Sequence, residues 1–385
     1  MKSGRFLSVL MAVSLISAAA LLPDPAPAKA ATPAYAQLNL IGGGTLSVGN
    51  AWVKNGVSYL DSSVLANFGF EMHWNDTKTR AEFKAFEKSF AVRTGSRIGI
   101  LDGQKTDLGG VPFVYRDTLF LPASFMVKTL EGKSLRWDPK TKTIIADGLH
   151  TYRGHTEVFN GAVYSLSYET GDLRVSAGNG PKRKIANLGT KLDIVDFKFE
   201  QTPKGLILLR IRNVYGEPHI HYEHFLFLLK DGGVIRQTST YFRASFNDPA
   251  LWSDGKILMN DGITLRLIED GTGQVAETVN LAELMGEDDS SASYYNVEGF
   301  FPDFALIRPL DTGILTLVNR GTGEQVPLYR VFFDEELQQR VEQYAPMILG
   351  DFLRFTGRDG DRLTFTYYNG KEDLIFTYDL PASAS

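Results

Sequence analysis

The chain has 385 residues, a formal net charge of −5, 43% hydrophobic residues and no cysteine. The missing cysteines exclude disulfides, thiolate metal sites and lipoprotein attachment, and no block of lysine or arginine is present to track a phosphate backbone, so nucleic acid is not an expected partner. The 25 Phe, 16 Tyr and 37 Gly suit pleated strands and the tight turns between them, and the length suggests about two domains.

In chain order, Lys2 and Arg5 precede an apolar run from Phe6 to Leu22, which Pro23, Pro25 and Pro27 end. This pattern predicts a cleaved secretory signal, with Ala28-Lys29-Ala30 or Ala34-Tyr35-Ala36 as the processing site. Residues 1–36 are therefore expected to be signal and short linker. Beyond them no segment is long and apolar enough to span a bilayer, so the expected location is secreted, extracellular or cell-wall associated.

Two stretches that follow are nearly the same. Asn55-Gly56 sits between alternating residues, a strong hairpin signal. A short helix is expected over Ser62 to Asn67, capped by Asp61 or Ser62 and ended at Gly69, followed by a strand through Phe70, Met72 and Trp74 and a turn at Asp76-Thr77-Lys78. The second copy has its turn at Arg116-Asp117-Thr118, a helix from Ala123 to Leu130 ended by Gly132, a strand with Leu135 and Trp137 inward, and a return over Thr143 to Ala146. Two tandem ββαββ-like units packed side by side would bury Trp74 and Trp137.

Residues 38–148 resemble the copper amine oxidase-like N-terminal domain, or stalk domain, common in secreted proteins of Gram-positive bacteria. The resemblance rests on Tyr59, Gly69, Trp74-Asn75 and Thr77-Lys78-Thr79, and again on Phe120-Leu121-Pro122, Gly132, Trp137-Asp138 and Thr141-Lys142-Thr143. The family's Pro-Leu-Arg is replaced in the first copy by Leu60-Asp61-Ser62, and the second copy lacks the Arg. The resemblance implies an accessory spacer or attachment module, not an oxidase. No Asn-Tyr-Asp or Asn-Tyr-Glu occurs to supply the quinone-forming tyrosine.

From Thr151 the texture changes to short strands. Turn signals recur at Glu169–Asp172, Lys230–Gly233, Glu269–Gly273, Asn319–Gly323 and Tyr368–Lys371. Residues 151–382 are therefore expected to form a β-propeller-like domain of about five blades, with a β-sandwich or irregular β-domain as the alternative. Ala282 to Ser293 reads as an acidic loop, and Phe333 to Tyr344 as an inserted helix with Leu337 and Val341 on its apolar face.

The sharpest chemical feature is His219-Ile220-His221-Tyr222-Glu223-His224. On a strand, His219, His221 and Glu223 share one face and make half a coordination sphere for zinc or copper. The alternative is a solvated strand face. His150 and His155 are the nearest further histidines in sequence. Asp193/Asp196 and Asp359/Asp361 are acidic pairs, the latter more simply a hairpin turn, and no Gly-x-Ser-x-Gly, phosphate-binding loop or His-Glu-x-x-His occurs. The expected function is a non-catalytic envelope binding protein, with the front module as spacer or wall attachment and the back domain as recognition face for a cell-wall glycan or surface protein. The competing readings are a metal-dependent or glycan-processing extracellular enzyme and a self-associating surface-layer component.

Overall fold

Alternating side chains and closely spaced turns fold most of this chain into antiparallel β-sheet. The computed structural model describes residues 31–178, 180–217, 221–242, 248–287, 294–348 and 350–381, with the backbone alone over 345–348. The chain divides into two compact units between Thr151 and Tyr152.

The first unit contains twelve described strands: β1 (Thr32–Leu40), β2 (Thr45–Lys54), β3 (Val57–Asp61), β4 (Glu71–Trp74), β5 (Arg80–Ala85), β6 (Lys88–Arg93), β7 (Ile98–Leu101), β8 (Gln104–Asp107), β9 (Phe113–Tyr115), β10 (Thr118–Pro122), β11 (Ser134–Asp138) and β12 (Thr143–Leu149). They form a seven-stranded sheet in the order β11-β12-β1-β2-β3-β10-β9 and a five-stranded sheet β4-β5-β6-β7-β8. The duplicated segments therefore do not make two separate ββαββ units. Leu60 of the first copy pairs with Leu121 of the second, in neighbouring antiparallel strands of one sheet. The copies then part, because β4 belongs to the five-stranded sheet and its counterpart β11 to the seven-stranded one.

The expected burial of both indoles is corrected. Trp137 is 37% exposed and Trp74 is only partly buried, while Met72 is also exposed. The interior is made instead by phenylalanines. Phe90 stacks on Phe83 at 4.4 Å and meets Phe125 edge-on at 5.2 Å, which joins the five-stranded sheet to α1 (Ala123–Thr129). A second difference lies at the front. Thr32–Ala36, expected as leader and linker, forms half of β1, with Ala34 and Ala36 buried. Cleavage after Ala36 would cut through that strand. Residues 1–30, which hold the apolar run and Ala28-Lys29-Ala30, lie outside the described residues.

The local signals hold up well. A 3-10 helix covers Ser62–Phe68, the Asp61 carboxylate accepts from the Ser63 amide, and Gly69 takes the left-handed conformation at φ 89°. In the second copy the left-handed position falls on Glu131, at φ 51°, rather than on Gly132. Gly132 is required there for space, since a Cβ would lie 2.6 Å from Leu149 Cδ2.

The second unit is a chain-order series of five antiparallel sheets. Sheet one is β13 (Gly154–Phe159), β14 (Ala162–Ser167), β15 (Asp172–Ala177) and β16 (Arg183–Asn187); sheet two is β17 (Ile194–Gln201), β18 (Ile207–Tyr215), β19 (His221–Lys230) and β20 (Gly233–Phe242). Sheet three is β21 (Trp252–Ser253), β22 (Lys256–Asn260), β23 (Thr264–Glu269) and β24 (Val275–Asn280); sheet four is β25 (Tyr295–Phe300), β26 (Phe304–Pro309), β27 (Thr316–Asn319) and β28 (Gln325–Pro327). Sheet five has three strands, β29 (Arg354–Asp359), β30 (Arg362–Tyr368) and β31 (Asp373–Asp379).

Each of the five turn signals falls in a different sheet. At two of them the mechanism is an asparagine that accepts from the backbone ahead: Asn319 from the Gly321 and Thr322 amides, Asn369 from those of Lys371 and Glu372. Apolar residues fill the spaces between consecutive sheets. Leu166, Leu173, Phe197 and Leu209 lie between sheets one and two, and Leu208, Leu228, Ile257 and Ile268 between two and three. Leu258, Val297 and Ile307 lie between three and four, and Leu306, Leu317, Leu363 and Phe365 between four and five. Such serial face-to-face packing is not that of a two-sheet sandwich.

Helices interrupt the series twice. The expected acidic loop begins as a short helix, α2 (Leu281–Leu284), because Asn280 caps it and Leu281 is buried; residues 288–293 lie outside the described residues. The expected inserted helix is present as α3 (Tyr329–Phe332) and α4 (Glu335–Ile348), with Asp334 accepting from the Leu337 amide and Val341 buried.

Candidate ligand-binding cleft

The second turn of the chain through sheet two brings the predicted histidine segment to the start of β19. His221 and Glu223 project from one face, as expected for alternate strand residues. His219 lies outside the described residues. The His221 ring is taken up by aromatics: it lies 5.2 Å from Tyr215 and 5.8 Å from Tyr241, both nearly parallel to it, and Nδ1 is 2.6 Å from the Tyr241 hydroxyl. Glu223 accepts from the fully buried Asn213 at 3.0 Å, and Asn213 in turn accepts from the Asp193 amide. Burial, with Glu223 and Tyr241 close by, pushes the Tyr215 phenol up from its ordinary value.

Tyr215, Glu223 and Tyr241 form one wall of an open cleft of about 740 Å³; His221 is not among its lining residues. Its other walls come from Gly189 and Thr190 after sheet one, Asp261 and Thr264 of sheet three, and Tyr294 before sheet four. Phe225 and Leu188 floor it and continue into a second hollow beside Gln237 and Arg266. The hollows together follow β20, the terminal strand of sheet two. A terminal strand offers unpaired backbone groups along its outer edge.

Among the described residues, two carboxylates line the main cleft. Asp261 is engaged by Arg266 at 2.8 Å and by the Ile263 and Thr264 amides, which leaves Glu223 with an oxygen not committed to the fold. Among the described residues no group of three or more His, Asp or Glu is placed to hold a metal ion. His155 is not drawn into the cleft; it pairs with Glu157 at 3.3 Å and packs on Phe197. Asp359 and Asp361 flank the β29–β30 turn, and Asp196 faces Arg212 on the opposite side of sheet two. The tyrosines and the groove walls escaped the sequence reading, since their only signal was aromatic abundance near strand ends.

Residues 45–146 match the family model described as copper amine oxidase N-terminal domain. No curated protein matches the chain. Similar solved structures include the β-propeller domain of the Trilobed protease from Pyrococcus furiosus, at 10% identity over 81% of this chain and 83% of that one, with a TM-score of 0.24. Others are a Mycobacterium tuberculosis puromycin-hydrolyzing peptidase, at 11% identity over 83% of this chain and 47% of that one, with a TM-score of 0.26, and the AfRom2 CNH domain, at 8% identity over 80% and 94%, with a TM-score of 0.21. At TM-scores this low no activity or partner passes from them to this chain.

Proposed function

We propose that this is an exported binding protein of the cell envelope, in which the first unit serves as a stalk-like spacer and the second recognises an extended polymer, a cell-wall glycan chain. The five sheets are taken as the blades of a small β-propeller, with the cleft beside sheet two as the recognition groove. The observation that carries this reading is the cleft itself: tyrosine-rich walls, hydroxyls from Thr190, Ser239 and Thr264, and a single uncommitted carboxylate. Aromatic faces with polar tips suit a ligand that is apolar on its ring faces and hydroxylated at its edges. Glycoside hydrolysis would ask for two carboxylates facing the bond, whereas Asp261 is held by Arg266 and its own turn.

The test is a pull-down of the full chain on purified cell-wall glycan, alongside Tyr241→Ala and Tyr294→Ala. Retention of the native chain with at least about tenfold loss in one variant supports the reading. No retention, or equal retention in all three, refutes it. Stoichiometric zinc or copper in the purified protein, lost in a His219→Ala/His221→Ala variant, would replace it with the metal-dependent reading.

A further inference from the structure

The other face of sheet two carries a different kind of site. Its β-pairing lines up two adjacent cross-strand rows, Asp196–Arg212–His224–Thr240 and Lys198–Arg210–Leu226–Thr238. Below them the space toward sheet three is filled by Leu208, Leu228, Ile257 and Met259. At the rows a pocket of about 60 Å³ remains, its walls partly apolar (Phe225, Leu226, Ala250, Leu251 and Leu258) and its polar groups supplied by the two rows, Asp248 and Asn260. That space fits a group of a few heavy atoms and is far below the roughly 300–1,000 Å³ of a cofactor or drug-sized site.

Thr238 is satisfied by the Asn260 carbonyl at 3.0 Å, but the arginines beside it are not fully engaged. Arg212 Nε is buried and has no hydrogen-bond partner. The guanidinium groups meet carboxylates only at 3.6 Å (Arg212–Asp196) and 4.0 Å (Arg210–Asp248), beyond hydrogen-bond distance. Lys198 stands directly across from Arg210, a like-charge pair that a sheet tolerates at a cost. His224 makes an edge contact with Phe242, and burial holds its imidazole neutral, with a pKa of about 4. Thr240 is 6% exposed. Three cations, a neutral imidazole and a hydroxyl thus line a small space, with two carboxylates that pair with the arginines at ion-pair rather than hydrogen-bond distance.

We propose that this pocket between sheets two and three binds an oxyanion, the carboxylate or phosphate group of a small ligand, clasped by Arg210 and Arg212 with Thr240 as a further donor. The two arginines, two residues apart on one strand face, present planar forks suited to paired oxygens. The arginines lie on the opposite sheet face from Glu223 and Tyr241 of the glycan cleft, although Phe225 and Thr240 border both hollows.

The experiment is calorimetric titration of the full chain at pH 7 and constant ionic strength with inorganic phosphate and, separately, with acetate and succinate. Saturable binding of phosphate, or of the carboxylates, identifies the source. In either case Arg212→Gln and Arg210→Gln should each weaken it about tenfold or more, Arg212→Lys should recover only part, and Lys371→Gln, which removes an exposed turn cation, should leave it unchanged. Thr240→Val serves as a milder variant should an arginine substitution fail to fold; a severalfold loss is expected. Absence of saturable binding by all three anions, or affinity equal to the native chain in Arg210→Gln, Arg212→Gln and Thr240→Val, overturns the proposal.

Discussion

Arg308→Met probes a fully buried charge cluster in the second unit. Arg308 is 1% exposed on β26, and its guanidinium lies 2.6 Å from Glu298 of β25 and 2.6 Å from Asp351, the residue that leads into sheet five. It also donates to the carbonyls of Gly313 and Leu353, while Asp351 accepts from the Leu315 and Leu353 amides. Burial alone would lower the arginine's pKa, but the two carboxylates outweigh it and raise it, so the charge is permanent. Removing the guanidinium leaves two carboxylates facing each other in a site that is nearly dry, and breaking such a pair costs about 3–5 kcal/mol. Against a total stability of about 5–15 kcal/mol, that is a large share. Urea unfolding of the full chain at pH 7, read by circular dichroism, should show the loss as a midpoint lowered by roughly 1–2 M. Glu298→Met added to Arg308→Met should restore about 1 kcal/mol or more, because one stranded charge is gone. A loss below about 1 kcal/mol for Arg308→Met would refute the argument that this cluster is sealed from water.

Three further outcomes are expected. The His224 pKa falls from 6.5 to about 4 on folding, so the unfolded chain binds more protons between those values. Stability is therefore intact above pH 6.5 and lost as the pH drops toward 4, by about 1–3 kcal/mol for a group that keeps some exposure; His224→Gln should flatten that part of a urea-midpoint profile. Gly69→Ala forces a side chain into φ 89° at the end of the first short helix, and chemical denaturation should register a loss of about 1 kcal/mol. Asn260 donates to the Tyr295 carbonyl at 2.8 Å and accepts from the Gly262 amide at 2.7 Å, joining sheets three and four. Asn260→Ala should cost about 2 kcal/mol in the same assay, since it removes both hydrogen bonds from a buried position.

The parts of the site that the sequence exposed are those set by a few neighbouring residues. Alternation alone put His221 and Glu223 on one strand face, and the turn signals marked one hairpin in each of the five sheets. Asp61 and Gly69 capped the first short helix where their types said they would. Hairpin turns and caps are decided within about four residues, so a linear reading can find them. The partners of His221 were out of reach: Tyr241 lies twenty positions on, and its hydroxyl meets the ring only through the β19–β20 register.

Taken by itself, the amino-acid order determined a cysteine-free, mostly β chain with a duplicated front segment, a change of texture near Thr151 and one hairpin turn in each of the five later sheets. Tertiary structure decided the rest. It put the two copies of the duplicated segment into shared and then separate sheets, left Trp137 partly exposed, and packed Phe83, Phe90 and Phe125 together instead. It also set Arg210, Arg212, His224 and Thr240, scattered along three strands, around one small pocket. Strand pairing joins residues through register and burial over long separations, and no local propensity encodes which edge will meet which.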